Sequence, residues 1–146
     1  MQKELTYEDI QIGDTASFSK TISEYDIYQF AGITGDFNPM HINEVFADTT
    51  IFKDRIAHGL LIGSFISTVL GMKLPGPNTI YLSQSFRFTA PVKIGDTIKA
   101  SVEVIEKQDD KKLIKLKTQV WNQRNEMVID GEALVMKKYL EVAMED

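Results

Sequence analysis

The chain has 146 residues, of which 43% are hydrophobic and 25% are charged, a composition typical of one globular domain, here spanning residues 1–146. It contains no cysteine, which excludes disulfides, thiolate metal sites and a cysteine nucleophile. The formal net charge is −5 and no basic run stands out, so the chain is not expected to bind nucleic acid.

Neither a targeting signal nor a membrane span is expected. The N-terminal segment lacks an apolar stretch of signal-peptide length. The longest uncharged stretch, Ala57–Met72, is shorter than the roughly 20 residues that a membrane span needs, and it is interpreted as a buried helix. A chain with these features, and without a need for disulfides, is expected in the cytoplasm and not on a membrane.

One strand and one helix are predicted near the start of the chain. Thr15–Ile22 is a candidate strand, because it follows the Gly13-Asp14 turn. Ser23 precedes Asp26 by three residues, which is the spacing of a helix capping box. Apolar residues follow at helical spacing, so a helix is predicted over about Glu24–Ile33.

A proline turn separates this helix from a second, longer one. Proline disfavours the helical conformation at Asn38, so the chain is expected to turn at that point. A short irregular or helical piece is expected over Asn43–Phe52. Gly59–Leu74 is then predicted to be a helix that ends at Pro75-Gly76-Pro77. Because it carries no charge as far as Met72, this helix is expected to be buried nearly all round.

The second half of the chain alternates apolar and polar residues, which indicates strands. Four strands are predicted, over positions 80–88, 98–104, 114–120 and 129–135. Alternation with one polar face is typical of an antiparallel sheet. Gly131 interrupts the last strand, which suggests that the long helix packs directly on the backbone there. The predicted fold class is α+β, an antiparallel sheet wrapped around a long central helix, although this pattern alone permits other α+β folds.

Asp36 and His41 are the first candidates for chemistry. On a helix their spacing would point them in different directions, whereas a proline turn can fold both side chains toward one point. A carboxylate and an imidazole in one cavity can hold a water molecule and remove its proton. On local spacing alone a simpler interpretation is favoured, in which Asp36 binds turn amides and His41 is a hydrogen-bonded loop residue.

The second candidate feature is the start of the long helix. Free backbone N–H groups there can polarise a carbonyl oxygen, and Gly59 allows a substrate to come close. The alternative is a glycine needed only for the turn, with His58 as a capping residue. A metal site from Asp36, His41 and His58 is formally possible, but their spacing matches no recognised ligand pattern. No metal and no other cofactor is therefore expected.

Two neighbouring segments carry a family resemblance, Phe30-Ala31-Gly32-Ile33-Thr34-Gly35-Asp36-Phe37-Asn38-Pro39-Met40-His41 and Phe52-Lys53-Asp54-Arg55-Ile56-Ala57-His58-Gly59-Leu60-Leu61. Together with Phe86-Arg87-Phe88-Thr89-Ala90-Pro91-Val92 and Gly95-Asp96-Thr97, they resemble the MaoC-like, (R)-specific enoyl-CoA hydratase family. The likeness extends over roughly Gly13 to Lys137. The two segments at this distance form a specific pattern, which raises the functional interpretation of Asp36 and His41 above the simpler one.

The resemblance implies a hot-dog fold, usually paired into a homodimer, with substrate tunnels near the subunit interface; a higher oligomer is also possible. Asp36 and His41 match the family's catalytic pair, which positions and activates the attacking water. The backbone N–H of Gly59 matches the family's oxyanion donor to the thioester carbonyl.

Supporting residues are also implied by the resemblance. Ser67 matches a serine that lies near the histidine and helps to hold it, and Asn38 matches an asparagine that is expected to shape the loop. His58 matches as well, and a structural role is expected for it. Asn43 departs from the family, which commonly has aspartate there, and this change could alter a local salt bridge or helix cap.

The activity implied is the reversible addition of water to trans-2-enoyl-CoA, which gives (R)-3-hydroxyacyl-CoA. The partner is therefore an acyl-CoA substrate, and the thioester carbonyl is itself the electron sink, so the reaction needs no metal or redox cofactor. Three alternatives remain open, because a fold by itself does not determine function. They are a 3-hydroxyacyl-acyl-carrier-protein dehydratase, a hot-dog acyl-CoA thioesterase and a non-catalytic acyl-CoA binding protein.

Overall fold

The computed structural model describes residues 4–138 of the chain. The elements in chain order are β1 (Thr15–Thr21), α1 (Glu24–Thr34), α2 (Pro39–Ile42), α3 (Glu44–Asp48), α4 (Gly59–Met72), β2 (Thr79–Phe88), β3 (Thr97–Gln108), β4 (Leu113–Trp121) and β5 (Met127–Lys137). The predicted strands and the two predicted longer helices are confirmed to within a few residues. The predicted irregular piece contains α3, and α2 lies just before it.

The five strands form one antiparallel sheet in the order β1-β3-β4-β5-β2. Helix α4 packs against β3, β1, β4 and β2. Its inward residues join the alternating buried residues of the strands in a single hydrophobic core. This arrangement confirms the predicted α+β class and the hot-dog fold. Within the described part of the chain, no helix combines the length and the apolar character needed to cross a membrane.

A side-chain cap determines where α1 begins, and a left-handed glycine determines where it ends. Ser23 accepts a hydrogen bond from the Asp26 N–H at 3.2 Å, and the Asp26 carboxylate accepts one from the Ser23 N–H at 2.9 Å. This reciprocal pair is the predicted capping box. At the other end Gly35 adopts φ 79°, a left-handed conformation that glycine enters without strain. The helix therefore stops immediately before the Asp36 loop.

The prediction that α4 is buried nearly all round is wrong. Its sheet-facing residues are buried, but Leu60, Ser64, Ser67 and Gly71 form an exposed stripe along the opposite face. Leu60 is 61% exposed and Met72 is 75% exposed. Apolar composition by itself does not distinguish a side chain in the core from one on an uncovered face, and this explains the error.

The interpretation of Gly131 also needs correction. A Cβ atom on Gly131 would lie 1.9 Å from the main-chain oxygen of Ser85, which belongs to the neighbouring strand β2. The close approach is therefore between two strands, where Phe86 pairs with Gly131, and not between a strand and α4. The pairing of β2 with β5 shifts register between Tyr81 and Ser83.

Candidate active site

The loop between α1 and α2 presents Asp36 through a short chain of local hydrogen bonds. One carboxylate oxygen of Asp36 accepts the Asn38 N–H at 3.2 Å. The Asn38 side-chain oxygen in turn accepts the Met40 N–H at 3.1 Å and caps α2, with Pro39 at the first helical position. These bonds explain how Asn38 shapes the loop: it starts a helical turn that carries His41 back toward Asp36.

His41 is 7% exposed and is held in one orientation. Its Nδ1 lies 2.7 Å from the main-chain oxygen of Ile56. A carbonyl oxygen only accepts hydrogen bonds, so Nδ1 carries the proton and the neutral ring has its lone pair on Nε2. Burial lowers the pKa of His41 most, and repulsion from His58 lowers it further; the bond to Ile56 and the charge of Asp36 act in the opposite direction. The neutral, basic form of His41 is therefore favoured.

His58 lies behind this pair and is 2% exposed. Its Nε2 is 2.9 Å from the main-chain oxygen of Asp36. Its ring stacks on the ring of His41, with centroids 3.9 Å apart and planes 29° apart, and the Phe30 ring lies 4.9 Å away. The imidazole therefore contacts the segments that carry both candidate catalytic groups.

One side-chain atom from each of Asp36, His41 and His58 lies within 4.8 Å of the other two. The turn thus brings the carboxylate and the imidazole of the first two residues close enough to share a water molecule. The hydrogen bonds to Ile56 and Asp36 involve Nδ1 of His41 and Nε2 of His58, which leaves Nε2 of His41 and Nδ1 of His58 as the lone-pair nitrogens. A carboxylate beside a lone-pair nitrogen can hold a water molecule and remove its proton.

A cavity of about 610 Å³ adjoins these groups, within the usual size range of small-molecule sites. Asp36, His41 and Gly59 all line it, and most of its other lining side chains are apolar: Phe30, Phe52, Ile56, Ala57, Leu60, Ile62, Phe88, Ala90, Pro91, Val92, Val128 and Ile129. The polar groups are therefore few, and the three titratable ones lie close together in an otherwise largely apolar cavity.

Gly59 is the first residue of α4, where backbone N–H groups have no acceptor inside the helix. Within residues 4–138, no hydrogen bond occupies its N–H. A Cβ atom at Gly59 would lie 2.7 Å from the Phe88 ring, so any larger residue would require this half-exposed ring to move. The helix start therefore offers a free donor at the cavity surface, in the position that an oxyanion donor needs.

Two residues that the resemblance singled out lie in different settings. Ser67 is exposed and lines a second cavity of about 330 Å³ on the far side of Leu60, and no hydrogen bond joins it to His41 among the described residues. Here the hydrogen bond that holds the His41 ring is made with the main-chain oxygen of Ile56 and not with Ser67. Asn43 caps α3 by accepting the Phe46 N–H at 3.0 Å, so the departure from aspartate preserves the cap.

Three residues of the site lay within the segments that carry the resemblance, but sequence reasoning gave them no role there. Ile56 contributes only a main-chain oxygen, which no side-chain pattern reveals. Phe30 and Phe88 were interpreted as ordinary apolar residues of a helix and a strand, and yet they line the cavity.

Fold and site together define a hot-dog protein with a carboxylate and an imidazole close together in a largely apolar cavity. The family described as "MaoC like domain" matches residues 9–125, and the chain belongs to this MaoC-like family.

The chain is similar to individual family members over nearly its whole length. It is 53% identical to the (R)-specific enoyl-CoA hydratase of Rhodospirillum rubrum, over 89% of this chain and 90% of that protein. It is 47% identical to the 3-hydroxybutyryl-CoA dehydratase of Methylorubrum extorquens, over 90% of this chain and 83% of that protein. The solved structure of R-hydratase PhaJ1 from Pseudomonas aeruginosa, unliganded, superimposes with a TM-score of 0.88 at 42% identity, covering 98% and 94% of the two chains.

Proposed function

We propose that this chain is an (R)-specific enoyl-CoA hydratase, a hydro-lyase that reversibly adds water to trans-2-enoyl-CoA and gives (R)-3-hydroxyacyl-CoA. The observation that carries the proposal is the meeting of Asp36 and His41 in a cavity whose wall includes the Gly59 N–H. Similarity to hydratase and dehydratase relatives supports the same chemistry in its two directions.

The reaction begins when the thioester carbonyl oxygen accepts a hydrogen bond from the Gly59 N–H. This hydrogen bond draws electrons away from the alkene and makes the β-carbon electrophilic. Water held by Asp36 and His41 adds its oxygen to the β-carbon and gives up a proton, for which the free Nε2 of His41 is the natural acceptor. A proton from the pair then reaches the α-carbon as the enolate collapses, so the atoms of one water molecule are added in total.

The first experiment follows the loss of enoyl-thioester absorbance when the purified protein is mixed with C4, C6 and C8 trans-2-enoyl-CoA. Turnover with at least one substrate is expected, and coupling to an (R)-specific 3-hydroxyacyl-CoA dehydrogenase should consume the product. Consumption only by an (S)-specific enzyme would contradict the stereochemical assignment. Release of free thiol, measured with a thiol reagent, would indicate a thioesterase instead.

A dehydratase acting on carrier-protein thioesters uses the same chemistry in reverse. Turnover of crotonyl-CoA is therefore compared with that of the crotonyl thioester of acyl carrier protein. We expect the CoA thioester to give the higher kcat/KM. The reverse order would assign the chain to the carrier-protein pathway, and binding without turnover of either would make it an acyl-CoA binding protein.

The proposed reaction uses no metal or other cofactor, because the thioester itself accepts the electrons. Dialysis against a strong chelator is expected to leave kcat unchanged. A loss of activity that added Zn²⁺ or Mg²⁺ restores would contradict this part of the proposal.

We also propose that the chain acts as a homodimer joined through the β2 edge. β2 is at the edge of the sheet and exposes Ile80, Leu82 and Phe88, which are 45%, 46% and 52% exposed. An exposed apolar edge strand is a ready site for pairing with a second copy. Asp36 is exposed in the single chain, and a partner at β2, beside Phe88, would close that side of the cavity.

Sedimentation velocity tests the homodimer. The wild-type protein is expected to be a dimer or a higher even-numbered assembly, and Leu82→Glu is expected to dissociate it and to lower activity. Ile12→Glu is the matched control, because Ile12 is 66% exposed but precedes β1 at the opposite edge of the sheet. A monomeric and fully active wild-type protein would contradict the proposal. The cytoplasmic location stays a prediction, which fractionation of the source cells tests.

A further inference from the structure

The His58 side chain contacts both members of the proposed acid/base pair. It donates to the main chain of Asp36, stacks on the ring of His41 and directly precedes Gly59 at the start of α4. It occupies the N-cap position of α4, but its side chain makes no capping hydrogen bond. Its contacts are thus directed at the active site and not at the helix that it begins.

The hydrogen bond to Asp36 fixes the tautomer of His58. The Asp36 main-chain oxygen can only accept, so His58 Nε2 carries the proton. Nδ1 is then the lone-pair nitrogen of the neutral ring, and it is buried without a hydrogen-bond partner. A hydrocarbon or phenyl side chain would fill the same space without leaving a buried polar atom unpaired. Packing alone therefore does not account for a histidine at this position.

The position of His58 also affects proton transfer at His41. Asp36, His41 and His58 are the titratable side chains among the described residues that line the cavity. Burial lowers the pKa of His41 most, and repulsion from His58, which acts when both rings are protonated, lowers it further, while the charge of Asp36 raises it. A neutral replacement at position 58 would remove that repulsion and leave the other influences in place.

We propose that His58 is a positioning residue for the hydration reaction: it holds the Asp36 main chain and the His41 ring in their working arrangement at the start of α4. The expected kinetic effects of His58 variants rest on the proposed function. The contacts that His58 makes with Asp36 and His41 can be tested without substrate. His58 acts through the two residues that are proposed to hold the water.

The chain's two histidines allow a direct spectroscopic test. In His41→Gln the remaining histidine is His58, and its ring ¹⁵N shifts are expected to show the proton on Nε2 at neutral pH. In His58→Gln the remaining histidine is His41, whose pKa is expected to be higher than in the wild-type protein. A proton on Nδ1 of His58, or an unchanged pKa of His41, would overturn the proposal.

Kinetic variants separate the two contacts of the ring. His58→Phe keeps an aromatic ring against His41 but removes the donor to Asp36, and kcat is expected to fall by about 10- to 100-fold, the cost of misplacing a reacting group. His58→Gln retains an N–H donor at the same reach and is expected to recover part of this loss. In both variants kcat should fall more than KM rises, and the acid limb of kcat/KM should move to higher pH.

Val69→Ala is the matched control, because Val69 is fully buried in α4 and lies outside the cavity. It is expected to lower Tm while leaving kcat and the pH profile unchanged. If the His58 variants behave in the same way, the role of His58 is merely structural and the proposal is wrong. Absence of wild-type turnover would overturn the proposed function, whereas the spectroscopic results would still decide the role of His58.

Discussion

Replacement of Asp36 by asparagine tests the proposed chemistry with little change in shape. Asp36 is exposed, and one of its carboxylate oxygens accepts the Asn38 N–H at 3.2 Å. An asparagine carbonyl oxygen can accept the same bond, and the main-chain oxygen of residue 36 still accepts from His58. The loop is therefore expected to survive, while the negative charge beside His41 is lost.

The expected effect on kcat is large compared with the effect on stability. An acid/base group contributes about 10²- to 10⁴-fold, which corresponds to about 2.7–5.5 kcal/mol at about 1.36 kcal/mol per tenfold change. Weakening one exposed hydrogen bond lowers the free energy of unfolding by about 1 kcal/mol or less. For a domain of this size that cost lowers Tm by about 2–4 °C at most.

The assay measures kcat for crotonyl-CoA by absorbance and Tm by circular dichroism. Asp14→Asn is the control, because the Asp14 carboxylate accepts the Gln11 N–H at 2.8 Å in a turn outside the cavity. Its kcat is expected to stay close to that of the wild-type protein. Near-normal turnover of Asp36→Asn would refute the reasoning, and so would a loss of activity that only accompanies unfolding.

Three further predictions concern other parts of the structure. Gly59→Ala is expected to lower kcat/KM at least about tenfold in steady-state assays with little change in Tm, because the methyl group displaces the half-exposed Phe88 ring at the proposed carbonyl site. Wild-type kcat/KM is expected to rise with pH with a midpoint below about 6.5, the usual histidine pKa, because burial lowers the pKa of His41 and activity requires its neutral form. A midpoint above about 6.5 in a pH series would contradict this. Gly131→Ala is expected to lower the free energy of unfolding, measured with urea, by about 3 kcal/mol, because its Cβ would collide with the Ser85 main chain. An unchanged free energy of unfolding would refute that contact.

Local patterns predicted most of the fold. Alternation defined β2 to β5, and the spacing of Ser23 and Asp26 located the start of α1, because these signals depend on residues that are neighbours along the chain. The turn at Asn38-Pro39 was predicted for the same reason. The family resemblance then supplied the hot-dog fold, which the strand pattern did not distinguish from other α+β arrangements.

Exposed apolar faces could not be predicted in the same way. Ile80, Leu82 and Phe88 alternate as core residues do, and yet they are exposed at the sheet edge. Leu60 on α4 shows the same discrepancy. Sequence periodicity identifies an apolar face but does not say whether this chain or a second one covers it. These are the surfaces on which the homodimer proposal rests.

The hydrogen bonds at the site were beyond sequence reasoning, because they join positions far apart in the chain through main-chain atoms. Ile56 accepts from His41, and His58 donates to Asp36 across 22 positions. The identity of the residue that supplies a main-chain oxygen leaves no chemical signature. The resemblance indicated which side chains matter, and the structure adds the contacts that orient them.

A crystal structure with butyryl-CoA tests the central claim most directly, because this saturated thioester fits the same site but cannot add water. We predict that its carbonyl oxygen lies about 3 Å from the Gly59 nitrogen, with the β-carbon facing the Asp36 carboxylate and His41 Nε2. A thioester bound with its carbonyl oxygen away from Gly59, or with its β-carbon remote from both side chains in every subunit, would contradict the account.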